Sequence, residues 1–487
     1  MSASGASAEI ELIQQITALT DMELTLDDPN FDDPVYECGM PVLMLLQQHP
    51  ELCIEFAYQK LHDRPYKEVP ESYRRLYTEA ALKSVNLKLK ELQKEKQDEE
   101  ERRQKDEKKD WISEVVAILD KAYILTGAPL RENAINAMFR HIQAFLSSRD
   151  AISAQLDDFD HPPKKRIKIS SAAFKSPLDV PAKFLSSNDT QRPQLRYPMK
   201  RIKAPSFEDF QNTISASQTP FIVTGAISNW PAMSTERSWN SPLYLLEQTL
   251  GGRRLVPVEV GRSYTDDGWG QKLITFGEFM NRYMLNDRPL TSNGYLAQHD
   301  LLSQIPPLRS DITIPDYCYT SPPPPPPNIK PPPAELEEPI LNAWFGPKGT
   351  ISPLHTDPYH NILAQVVGFK YVRLYAPSET PNLHPRSIED NGVDMSNTSS
   401  IDLDHAIALF PEIGNAASSG GEEGKAEIDD AEMLRLRKEF EEEYPGFRDA
   451  EYVEGVLGPG ECLYLPVGWW HYVKSLTPSF SVSFWWC

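Results

Sequence analysis

The chain has 487 residues, too many for one ordinary domain, and 40% apolar residues beside 43 prolines leave room for linkers between compact units. With 49 Lys plus Arg against 70 Asp plus Glu, its net charge of −21 argues against attraction to nucleic acid phosphate and suits a cationic partner such as a basic protein tail. Five scattered cysteines without a CxxC spacing argue against a zinc finger and for a reducing compartment, and no apolar run or basic leader offers a membrane span or a secretion signal.

Residues 8–150 carry apolar side chains at helical spacing. Ile135, Met138, Phe139, Ile142, Phe145 and Leu146 make one stripe, so their helix needs something to pack against. Residues 88–110 are almost wholly charged with mixed signs, which suits a solvated helix or an insert between two helical halves. Residues 1–155 are expected to form an all-α domain for protein contacts, with no catalytic group.

Composition changes over residues 156–194, a linker without periodicity. Within it Lys164, Lys165, Arg166 and Lys168 follow Pro162 and Pro163, a compact basic cluster in an acidic chain that fits a nuclear import signal. A nuclear location is therefore expected, with the cytoplasm left open.

From residue 195 strand signals dominate. The runs PFIVTGA at 220–226 and RLVPVEV at 254–260 are short and β-branched, and residues 207–216 and 276–285 read as helices. Two inserts interrupt the pattern. Residues 321–333, SPPPPPPNIKPPP, predict an extended, exposed spacer, and residues 416–443 turn from Ser/Gly to mixed charge and predict a surface helix.

The chemistry is concentrated in residues 342–377, NAWFGPKGTISPLHTDPYHNILAQVVGFKYVRLYAP. One residue separates His355 from Asp357, so on an extended segment both side chains point to one face, as two ligands of one metal must. A third donor is found in GPGECLYLPVGWWHYV at 458–473, where His471 begins a strand. Two histidines and a carboxylate are the facial triad of non-haem Fe(II) oxygenases, although a zinc hydrolase can use the same residue types. Lys370 favours the first. Alternation places it with Val372 and Leu374 on the apolar face of a strand, where an ammonium needs an anionic partner such as the distal carboxylate of 2-oxoglutarate. Asn361 and Ser352 stand close enough in sequence to add hydrogen bonds.

These residues, together with GYLAQH at 294–299, DITIPDYC at 311–318 and FSVSFWW at 480–486, resemble a JmjC domain of the Fe(II)/2-oxoglutarate oxygenases across 195–487. Within that family the chain is most similar to the lysine-demethylase-8-like group, also described as arginyl hydroxylases. The resemblance implies an α+β protein: a C-terminal double-stranded β-helix, a jelly-roll, cupin-like barrel, preceded by the helical domain. It implies Fe(II) on His355, Asp357 and His471, with 2-oxoglutarate and O2 as co-substrates. It assigns Tyr295, Ser352, Asn361, Lys370 and Trp485 to the 2-oxoglutarate pocket, and Glu259, Gln298 and Trp344 to the substrate side. A carboxylate beside an aromatic face suits a guanidinium or ammonium group. The expected activity is hydroxylation of a basic side chain on another protein, a histone being one candidate, with lysine demethylation as the alternative. A non-catalytic interaction module is the reading from another class.

Overall fold

The computed structural model describes residues 3–24, 32–101, 110–157, 180–184, 194–266, 268–285, 293–326, 329–389, 392–414 and 429–487. The chain forms two compact units: residues 1–179 with Leu246–Leu255 and Thr275–Glu278, and the remainder.

Among the described residues of 1–179 the first unit has six α-helices, α1 (Ala3–Glu23), α2 (Met40–Gln48), α3 (Pro50–His62), α4 (Glu71–Glu101), α5 (Trp111–Thr126) and α6 (Glu132–Asp157). The Asp110 side chain caps the start of α5 by accepting from Ser113 N at 3.2 Å, and Gly127, at φ 73°, ends it. The stripe of α6 is buried as its spacing predicts: Ile135, Met138, Phe139, Ile142 and Phe145 meet Ile13, Ile16, Leu82, Val115 and Leu119 in one core. Of the charged stretch 88–110, residues 88–101 continue α4, with Lys90 paired to Asp21 and Lys96 to Glu9, and 102–109 lie outside the described residues.

The segment Leu246–Leu255 completes this unit. Leu250 joins the core, and Arg254, with its guanidinium over Phe139, donates from Nε and Nη2 to Asp120 Oδ1 at 2.9 and 2.8 Å. Leu255 N donates to the other Asp120 oxygen at 2.8 Å. All of this is buried, so Asp120→Ala removes the carboxylate to which a buried cation and a backbone amide donate. The expected loss is about 3–5 kcal/mol, read as an early transition in thermal melting.

The second unit is built on strands. In chain order these are β1 (Arg201–Lys203), β2 (Phe221–Thr224), β3 (Leu255–Val260), β4 (Gly270–Thr275), β5 (Gly294–His299), β6 (Ile340–Gly346), β7 (Ile351–His355), β8 (His360–Val367), β9 (Lys370–Tyr375), β10 (Tyr452–Leu457), β11 (Glu461–Leu465), β12 (Trp470–Ser475) and β13 (Ser479–Trp486). The last eight form two facing sheets, β11-β8-β13-β6 and β10-β9-β12-β7, the double-stranded β-helix. β1 and β2 extend one edge of the larger sheet, and β5, β3 and β4 extend the other. Residues 207–216 are helical as their spacing predicts. In 276–285 a helical turn, Phe276–Phe279, passes into a π-helical one, Met280–Met284.

Leu363, Val372, Leu374, Leu463, Leu465 and Val473 fill the barrel between the sheets. The tight turn from β8 to β9 needs Gly368, whose φ is +81° and whose added Cβ would strike the Pro478 carbonyl. That turn fixes the register of β9, so Lys370, Val372 and Leu374 face inward, in line with strand alternation. The outer face of β9 is buried as well, because residues 403–414 and 429–450 pack across it. Tyr371, Tyr375, Phe410, Phe440 and Phe447 form that layer. Within it Glu454 accepts from the Tyr371 hydroxyl at 2.6 Å, and Arg373 donates to that same hydroxyl at 2.9 Å.

In the second insert the helix Asp430–Glu443 covers the end of the charged stretch, and 415–428 lie outside the described residues. So do 158–179 and 185–193, which hold most of the expected linker and its basic cluster. The proline-rich run departs from the expectation of a free spacer. Most of residues 321–326 are only half exposed, and side chains of the barrel grip the run.

Candidate metal centre and pocket

β7 and β12 pair antiparallel with His355 directly opposite His471, which puts the two rings 4.1 Å apart between centroids. Thr356 continues the chain past β7 in an extended path, held by its N–H to Asn397 O at 2.8 Å, and Asp357 returns to the same face. Its oxygens lie 3.7 Å from His355 Nε2 and 3.6 Å from His471 Nε2, and one donor atom from each of the three residues falls within 4.8 Å of the others. His355 Nδ1 sits 2.7 Å from Pro353 O and His471 Nδ1 3.2 Å from Trp469 O. A backbone carbonyl can only accept, so each ring carries its proton on Nδ1 and turns the Nε2 lone pair to the shared centre. Burial, helped by nearby His355 and opposed by Asp357, lowers His471 to a pKa of about 4, which keeps it in the neutral, ligating form at ordinary pH.

A pocket of about 430 Å³ opens beside this triad, with Leu363, Leu463, Leu465 and Val473 as apolar wall. Lys370 closes its far end, 1% exposed, its ammonium donating to the Tyr295 hydroxyl at 3.3 Å. Among the described residues no carboxylate pairs with it, and burial alone pulls its pKa down to about 7. Ser352 hydrogen-bonds the Tyr295 hydroxyl, and burial holds that phenol well above its usual range, so it stays protonated. Asn361 donates to Asp357 Oδ2 at 3.3 Å, leaving its own Oδ1 buried without a partner. An unpaired ammonium at one end, an orphaned amide oxygen and three convergent donors at the other fit a divalent metal and a small dianionic chelate.

Of the other residues singled out by sequence, Trp344 lines this pocket and donates from Nε1 to Ser483 Oγ at 3.0 Å. Glu259 lies opposite Tyr295 in the β3–β5 pairing and lines an adjoining cavity of about 240 Å³ with Arg262 and Trp269. Burial raises its carboxyl, and its one recorded polar contact is Trp269 Nε1 at 3.4 Å. Trp485 lines neither cavity. It pairs with Asn361 across β13 and β8, which puts both on one face of the sheet, and its indole N–H is buried without a partner. Gln298 is exposed at φ 47° and lines neither cavity. Sequence reasoning missed Trp269 and Tyr264, whose hydroxyl is raised by burial and by the charges of Asp357 and Glu259. Both lie in GRSYTDDGWG at 261–270, which reads only as a polar turn.

A family profile described as a cupin-like domain matches residues 207–487. The chain is similar to lysine-specific demethylase 8 of Xenopus tropicalis, 30% identical over 466 residues, and of Danio rerio, 31% over 440 residues, in each case across 90% of this chain and 87% of the relative. It is also similar to lysine-specific demethylase JMJ30 of Arabidopsis thaliana, 32% identical over 456 residues, 90% of this chain and 86% of that one. A jelly-roll barrel with a His-x-Asp…His triad and a match of this extent define the class: a 2-oxoglutarate-dependent oxygenase of the cupin-like JmjC type. Within that class the chain belongs to the family of lysine-specific demethylase 8 and JMJ30.

Proposed function

We propose that the chain holds Fe(II) on His355, Asp357 and His471, binds 2-oxoglutarate between that metal and Lys370, and oxidises a basic side chain of another protein. The single observation that carries this reading is the buried Lys370, without a carboxylate partner among the described residues, in the same pocket as the three convergent donors. Held there, Fe(II) and 2-oxoglutarate would, with O2 as oxidant, supply oxidative decarboxylation to succinate and CO2, one oxygen atom going to succinate and the other into a substrate C–H bond. The protein's own part is to anchor the distal carboxylate with Lys370, Tyr295 and Ser352, to orient the triad, and to keep the pocket dry with its leucines and valines.

Glu259 supports a cationic substrate. It is a largely buried carboxylate with no cationic partner among the described residues, flanked by Trp269 and Tyr295. Hydroxylation is the outcome where the attacked carbon bears no nitrogen, and demethylation where it is an N-methyl. The names of the relatives, lysine-specific demethylases, support the second outcome. The helical unit is a candidate surface for holding the substrate protein. Nuclear import through the basic cluster at 164–168 goes with a chromatin substrate, and replacing those basic residues should exclude a tagged protein from the nucleus.

Succinate release on aerobic addition of Fe(II) and 2-oxoglutarate tests the core of this reading, which fails if iron-loaded protein does not bind 2-oxoglutarate. Mass spectrometry of histone and ribosomal peptides then separates gain of an oxygen atom from loss of a methyl group. With an accepted peptide in hand, Glu259→Gln is expected to raise its KM roughly tenfold or more while the KM for 2-oxoglutarate stays unchanged.

A further inference from the structure

The proline-rich insert is tied to the carriers of two metal ligands. Proline has no N–H, so a proline run can be gripped mainly through its carbonyls. Three side chains supply the donors. The Gln211 amide makes a reciprocal pair with the Ser321 backbone, giving to its carbonyl and accepting from its N–H, both at 2.8 Å. Gln218 Nε2 donates to Pro324 O at 3.0 Å, and the Tyr359 hydroxyl donates to Ala334 O at 3.0 Å. Tyr359 follows Asp357 by two residues.

Gln218 also faces the other way. Its backbone carbonyl accepts from Trp469 Nε1 at 2.8 Å, and the Trp469 carbonyl in turn lies 3.2 Å from His471 Nδ1. A continuous path thus runs from the Pro324 carbonyl to the imidazole. Ile329 closes the same turn from above: a Cβ added to Gly468 would lie 2.6 Å from Ile329 Cδ1, so the isoleucine sits directly on the glycine backbone. Gly468 itself holds φ +78°. Lys330, the next residue, reaches Asp394 and Ser396 at 3.3 and 3.4 Å, which bridges the run to the segment that hydrogen-bonds Thr356.

We propose that this run is a brace for the metal centre, holding the Gly468–Trp469 turn, and through it the His471 ring, in ligating position. The proposal rests on the oxygenase reading above. Ile329 and Gln218 are positioning residues, because neither touches the donors. The described prolines at 322–326 and 331–333 have φ locked by their rings, so the conformation of those stretches is restricted before any contact is made. A proline-reading partner domain is the weaker use, because five of the insert's described prolines, Pro322, Pro323, Pro325, Pro326 and Pro332, are already half-buried.

Mn(II) is the probe, titrated into the full-length protein and followed by calorimetry and by its electron paramagnetic resonance signal. Ile329→Gly is expected to raise the Mn(II) Kd roughly tenfold, in the range seen when a group supporting a metal ligand is lost, and Ile329→Val to restore it. Gln218→Ala severs the strap side of the path and leaves the Trp469 bond to its backbone, so it should weaken binding in the same direction. If Ile329→Gly does not fold, this second variant carries the test. Wild-type Mn(II) affinity in folded variants with unchanged melting temperature would overturn the brace alone. Absence of Mn(II) binding in the wild type would overturn the oxygenase reading and the brace with it.

Discussion

Replacing Lys370 by methionine is expected to abolish 2-oxoglutarate binding and, in the same molecule, to raise the melting temperature of the ligand-free protein. The two effects share one cause. An ammonium buried against the Tyr295 phenol, with no carboxylate partner among the described residues, is costly, and its pKa falls from about 10.4 for a free lysine to about 7. A lysine with a depressed pKa binds fewer protons folded than unfolded between those values, so stability rises with pH across that window and the cost is complete below about 7. Methionine of similar length removes a cost on the order of a few kcal/mol. The stability gap between variant and wild type should therefore close as pH rises from 7 towards 10. Binding has the opposite slope: a carboxylate partner favours the ammonium, so 2-oxoglutarate affinity in the wild type should decline above pH 7, with uptake of a proton. Calorimetry in buffers of different ionisation enthalpy measures that proton. A variant that keeps 2-oxoglutarate affinity within threefold of wild type would remove Lys370 as the anchor.

Asp357→Ala should act on the other end of the pocket. Two opposed histidines remain, but the carboxylate that lies within 3.7 Å of both Nε2 atoms is gone. Metal affinity is expected to fall by more than the roughly 10- to 100-fold typical of losing a group that only supports a ligand, and succinate release should drop to background. Melting of the metal-free protein should change little, because the side chain's one recorded hydrogen bond is the contact from Asn361 at 3.3 Å. Lys370→Met, by contrast, should bind Mn(II) normally. Succinate formation that survived in metal-loaded Asp357→Ala would mean that the triad is not the reacting centre.

Legibility in the sequence followed the range of the interactions. His355, Asp357 and Lys370 could be read because strand alternation acts over neighbouring positions, and the inward direction of Lys370, Val372 and Leu374 in β9 obeyed it. His471 is a partner of His355 only through the register of β7 and β12, which no local pattern encodes, and there the family resemblance did the work. Three things stayed hidden. Both faces of β9 are buried because a distant insert covers one of them, and no local pattern shows the Arg373–Tyr371–Glu454 cluster that lies beneath it. The proline run looked like a spacer because its anchors, Gln211, Gln218 and Tyr359, are unremarkable polar residues far from it in sequence. Trp485 stands beside Asn361 on the same face of the sheet and Gln298 is exposed, and neither residue lines either cavity.

The helical unit borrows Leu246–Leu255 and Thr275–Glu278 from far along the chain, and this bears on the order of synthesis. A ribosome that has released residues 1–155 has made every long helix of that unit but not the arginine that neutralises Asp120 or the leucine that completes the core. The N-terminal unit is thus first to be made without being first to be finished, and a nascent chain halted before residue 246 should show helices with a loose, protease-sensitive interior.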